Sequence, residues 1–190
     1  MTQLIAGLIL FLGIHSISIF AIDTRDALAA KLGPLSWRAV YSIVAIVGFV
    51  LLIKGYGAAR MEPTLLWQPP RWLSHVNAVL MLPVFVFLLA AYLPGRISQA
   101  VKHPMLLATK IWAFSHLLVN GMLADVLLFG GFLAWAVADR ISLKRRKPRQ
   151  HLTLPKLGVN DAFAVIGGLA LYGAFVAYLH RALIGVAPFG

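Results

Sequence analysis

From Leu4 to Ile22 the chain runs 19 residues without an aspartate, glutamate, lysine or arginine. That is close to the ~20 residues an α-helix needs to cross the hydrocarbon of a bilayer. Comparable apolar blocks recur along the rest of the sequence. Lipid offers no partner for a backbone N–H or C=O, so blocks of this kind must satisfy their own hydrogen bonds and fold as helices. The pattern predicts six spans, at about 4–22, 38–55, 72–93, 104–120, 122–139 and 161–181. The fold class is all-α, a polytopic transmembrane helical bundle. A single membrane domain over residues 1–190 is expected, because no stretch outside the blocks is long enough to bury a core of its own.

Charge supports the same reading. The chain is 61% hydrophobic and 12% charged, with a formal net charge of +11. In a soluble protein that balance would suggest nucleic acid; here the positive-inside rule accounts for it and no nucleic-acid partner is expected. The loops after spans one, three and five carry most of the lysines and arginines, the largest group being Arg140, Lys144, Arg145, Arg146, Lys147, Arg149 and Lys156. The opposite side carries only Lys54, Arg60, Arg71 and Arg181. Both termini should therefore be periplasmic and the basic loops cytoplasmic, in a bacterial inner membrane with lipid as the surrounding partner. Met1-Thr2-Gln3 has no basic residue, and Asp23, Arg25 and Asp26 precede the small-residue stretch Ala27-Leu28-Ala29, so the first helix is expected to stay uncleaved.

Punctuation residues set the finer expectations. Gly33-Pro34 should break the chain before span two, and Gly55, Gly57, Pro63, Pro69 and Pro70 should mark a loop. Trp67, Trp72 and Trp37 suit interfacial anchors. Pro83 predicts a kink in span three. Pro104 suits the first turn of span four, and Asn120-Gly121 should end it and fold spans four and five into a tight hairpin. In span six, Ala164 with Gly168 and Ala170 with Ala174 are small residues four apart that would allow close packing on a neighbour.

The stretch His103–Gly121 holds two histidines, Lys110 and Asn120 within an apolar segment, where each polar group needs a partner or a purpose. At about 1.5 Å rise per residue, His15 lies about 16 Å into span one and His116 about 18 Å into span four. Both fall near the midplane, where two imidazoles could ligate a haem iron or simply pack between helices. Lys110 could meet a haem propionate or pair with Asp139. Asn120 could orient the second ring nitrogen of His116 or cap the helix. His103 should cap span four, with a ligand role as the other reading; His75, His151 and His180 are expected to be solvated.

Other chemistries fit poorly. The absence of cysteine excludes disulfides, thiolate ligands and cysteine nucleophiles. The single glutamate, Glu62, cannot build a carboxylate di-iron site. No two histidines lie close enough for a histidine box, and no H-E-x-x-H is present. Ser16, Ser115 and Asp125 lack the nucleophile elbow that serine chemistry would use. No catalytic residue is assigned.

Taken together, Gly13-Ile14-His15-Ser16, Leu66-Trp67, His103-Pro104-Met105, His116-Leu117-Leu118-Val119-Asn120-Gly121 and Asp139-Arg140 resemble the NnrU family of bacterial membrane proteins, over most of the chain to about Arg146. That family is linked to denitrification and nitric oxide metabolism and is similar to the zeta-carotene cis-trans isomerase of plants and cyanobacteria, an integral membrane haem b enzyme. The resemblance implies haem b as cofactor, His15 and His116 as axial ligands, and an apolar, carotenoid-like polyene as substrate of a redox-gated isomerase. It equally implies an accessory role in nitric oxide metabolism with no turnover. Two positions depart from the isomerase: its cysteine three residues before the second ligand is Ala113 here, and its extra histidine before the His-Pro pair is Lys102. A more distant resemblance, to isoprenylcysteine methyltransferases, rests on His103-Pro104 before a helical hairpin. No glutamate follows residue 62 to serve S-adenosylmethionine chemistry.

Overall fold

A computed structural model describes residues 1–146 and 155–188. The fold is all-α: α1 (Thr2–Phe20), α2 (Ile22–Leu32), α3 (Pro34–Met61), α4 (Leu73–Ala90), α5 (Arg96–Val101), α6 (Pro104–Val119), α7 (Leu123–Ser142), α8 (Asn160–Ala174), a π-helical turn (Phe175–Leu179) and α9 (His180–Ile184). Among the described residues four stretches are long and apolar enough to cross a membrane: α1, α3, α4 and the continuous run Asn160–Ile184. The two remaining expected spans also form helices. α6 has 16 residues, about 24 Å of helix, and α7 carries Asp125, Asp139 and Arg140 within its 20 residues.

The chain divides into two compact units, one of Met1–Gln68 with Gly121–Arg145, the other of Pro69–Asn120 with Arg146–Gly190. In the first, α1 packs on α3 and on α7, around Leu4, Leu52, Ala59 and Ala124. Glycine makes the α1–α3 contact close. A Cβ on Gly7 would stand 2.5 Å from the Leu52 nitrogen, and one on Gly48 would stand 2.6 Å from the Phe11 nitrogen. Gly55 likewise lies against the Leu4 backbone. This corrects the expected loop at Gly55 and Gly57, both of which are inside α3. In lipid every backbone group must be bonded within the helix, so glycine does not end it, and at Gly55 the missing side chain allows close approach instead.

Gly33 does break the chain, with φ at +80°, and Pro34 opens α3. The segment before it is not a loop but α2, whose Arg25 lies 5.8 Å over the Trp37 ring. Trp37 is accordingly buried under α2 rather than anchoring at an interface, whereas Trp67 and Trp72 are exposed. Asn120 is extended, and Gly121 has no positive φ. Its need for glycine is again space, because any Cβ would run into the Trp67 carbonyl. There Leu66 and Trp67 donate to Gly121 O at 2.8 and 3.2 Å, and Leu123 donates to Thr64 O at 2.8 Å.

In the second unit α4 packs on α6 and α8. Within their own units α6 packs on α4 and α7 packs on α1. Gly168 lies against Val86, where a Cβ would be 2.6 Å from Val86 Cα, and Ala164 is fully buried. The second small pair, Ala170 and Ala174, is exposed. α4 continues through Pro83. At its far end Asp161 accepts hydrogen bonds from Arg96 N (2.8 Å) and Ile97 N (3.1 Å), and Asn160 donates to Pro94 O and Pro155 O, both at 3.0 Å. Asp161, expected only to open the last span, therefore also satisfies the free N–H groups at the start of α5.

Candidate histidine sites in the two helical units

His15 sits on the second-last turn of α1. Its Nδ1 lies 2.6 Å from the Phe11 carbonyl. A carbonyl can only accept, so Nδ1 carries the hydrogen and the ring lone pair is on Nε2. Three aromatic rings surround it: Phe11 at 4.4 Å between centroids, Tyr41 of α3 at 5.3 Å and Trp135 of α7 at 6.0 Å. The Trp135 Nε1 is buried and has no hydrogen-bond acceptor among the described residues.

His116 repeats the local arrangement on α6. Its Nδ1 lies 2.9 Å from the Trp112 carbonyl, which sets the same tautomer, and the Trp112 ring is 5.6 Å away. The sequence carries a signal for this, since Phe11-x-x-x-His15 and Trp112-x-x-x-His116 both place an aromatic residue one helical turn before the histidine. Tyr41 and Trp135 had no such local signal.

Asn120 does not reach the ring of His116. Its amide donates to the backbone carbonyl of His116 at 2.9 Å, the helix-ending role, while the Trp112 carbonyl occupies Nδ1. Lys110 is half-buried on α6. His103 stands at the N-cap position of α6, but its side chain makes no capping hydrogen bond, so the expected cap is a matter of position alone. The residue before it, Lys102, has a φ of +64°, a strained backbone for a side chain with a Cβ. His75 is exposed. His180 Nδ1 donates to the Val186 carbonyl at 2.6 Å, so its ring is engaged rather than simply solvated. His151, with Lys147 and Arg149 of the basic loop, lies outside the described residues.

Ser115 is fully buried and donates to the Trp112 carbonyl at 3.0 Å. Ser16 lines an open apolar groove of about 360 Å³ with Ile9, Gly13, Ile17, Phe20 and Val44. Asp125, 2% exposed, accepts from Tyr56 Oη at 2.6 Å and from its own helix start, Met122 N, at 3.0 Å. Among the described residues no three His, Asp or Glu side chains converge as a metal-ion cage. The ligand set on offer is one imidazole per histidine-bearing helix, which suits a cofactor that brings its own equatorial ligands.

A helical membrane protein carrying lone, tautomer-fixed histidines in apolar helices is the class that fold and sites define. The particular family follows from the sequence as a whole: the model of the NnrU protein family matches residues 3–188, and the chain belongs to that family. No curated protein and no solved structure matches the chain.

Proposed function

We propose that this NnrU-family membrane protein binds haem b, and that His15 Nε2 and His116 Nε2 are the imidazole nitrogens that would hold haem iron. The observation that carries this is the shared tautomer: each imidazole gives Nδ1–H to the carbonyl one turn earlier on its own helix, at 2.6 and 2.9 Å. A hydrogen bond of this kind fixes the orientation of an imidazole that ligates a metal. The aromatic lining of both histidines fits a porphyrin, which is apolar over most of its surface. Bound haem would supply a redox-active iron. Lys110 would offer a cation to a propionate, Asn120 would hold the end of α6 that carries His116, and His103 would remain at the start of that helix.

Within this reading the resemblance to the isomerase favours redox-gated cis-trans isomerisation of an apolar polyene reached from the lipid. One observation favours the accessory role in nitric oxide metabolism instead. Ala113, fully buried on α6, stands where the isomerase carries a cysteine, so no thiolate is available to replace an imidazole.

The test is the absorbance spectrum of detergent-purified protein, oxidised and reduced, beside His15→Ala and His116→Ala. A sharp reduced α band in the parent, lost or broadened in both variants, is the expected result. No Soret band after expression with a haem precursor would overturn the proposal. With haem in place, polyene turnover and nitric oxide binding by the reduced protein separate the two roles.

A further inference from the structure

Of the three rings around His15, Trp135 alone brings a buried donor that has no acceptor among the described residues. An indole N–H can only donate. Left desolvated and unpaired it costs about as much as a broken hydrogen bond, and phenylalanine would fill such a site without that cost. An acceptor outside the described residues would account for its presence. The indole stands perpendicular to the imidazole, 90° between planes and 6.0 Å between centroids, so the donor-bearing ring lies directly beside the candidate iron ligand in the first unit. The periphery of haem b is apolar except for its two propionate carboxylates, which are its strong hydrogen-bond acceptors.

We infer that Trp135 Nε1–H donates to a propionate oxygen of the haem held through His15. The inference rests on the haem reading above and adds to it a residue that recognises the carboxylate edge of the cofactor. Arg38, one turn before Tyr41 on α3, adds positive charge at the same end of the unit, and Asp139, one turn after Trp135, has interactions of its own. A bond of this type is charge-assisted and stronger than a neutral one.

Full-length protein in detergent, prepared without haem, would be titrated with haem b and with haem b dimethyl ester, which keeps the iron and ring but lacks the carboxylates. The expected result is the same absorbance spectrum with both, and about tenfold to a hundredfold weaker binding of the ester, the range such a hydrogen bond is worth. In W135F the two should bind within about threefold of each other, since the donor is gone while most of the packing volume is kept. A measurement on the parent protein alone guards against misfolding of W135F. The indole ¹⁵N–H resonance of Trp135 in the reduced, diamagnetic complex should move downfield with haem relative to the ester. Equal affinities in the parent protein, discrimination that survives in W135F, or an indole resonance identical in the two complexes would overturn the assignment and leave histidine ligation standing. Failure of both porphyrins to bind the parent protein would remove the haem reading and this inference with it.

Discussion

At the scale of single residues, Asp125 shows how an acidic group is held in an apolar helix. Its carboxylate is satisfied by the Tyr56 hydroxyl and by the Met122 N–H, which begins α7. Arg60 lies 5.8 Å over the Tyr56 ring and completes the group. Removing one partner leaves a buried carboxylate short of a donor, so Tyr56→Phe should destabilise the first unit by about 1–3 kcal/mol. Thermal unfolding in detergent, followed by circular dichroism, measures it, and an unchanged midpoint would show that water replaces the hydroxyl. Asp125 was legible in the sequence as a charge near the start of a span. Its partner was not, because Tyr56 is 69 positions away. His15 and His116 were legible for the opposite reason, since an ionisable group in a long uncharged run stands out in one dimension.

At the scale of elements, close approach through glycine decides which helices pair. Gly48 and Gly168 each face the backbone of a neighbouring helix, Phe11 on α1 and Val86 on α4 respectively. A backbone cannot turn aside as a side chain can, so Gly48→Leu should cost at least about 1–3 kcal/mol through overpacking, and Gly168→Leu the same in the second unit. Gly173→Leu, where nothing lies within 4 Å of the added Cβ, should leave the melting temperature unchanged and serves as the control. The cap on α5 gives a second prediction. Asp161→Ala removes the acceptor for the Arg96 and Ile97 amides and should cost about 1 kcal/mol, seen as faster hydrogen exchange at those two amides. The sequence already pointed to close packing at Ala164 and Gly168. It pointed the wrong way at Gly55 and Gly57, because glycine signals a loop only where water can take over the freed backbone bonds.

At the scale of the whole molecule, the distribution of basic residues makes a topological prediction. Reporter fusions at the two termini should be active only outside the cytoplasm, and a fusion within residues 140–156 only inside it. A cytoplasmic terminus would reverse the orientation. The sequence by itself determined that the chain is an all-α membrane protein, roughly where its helices lie, which family it belongs to and which histidines deserve testing. These rest on hydropathy, backbone hydrogen bonding and local spacing, which are properties of neighbouring residues. Only the tertiary structure decided that α6 packs on α4 and α7 on α1. It also decided that Trp37 is buried, that α2 replaces a loop, and that Tyr41 and Trp135 enclose His15. Within lipid apolar surface does not by itself favour one helix partner over another, so the choice of partner depends on which small residues and rings meet across distant parts of the chain, and no local pattern records that.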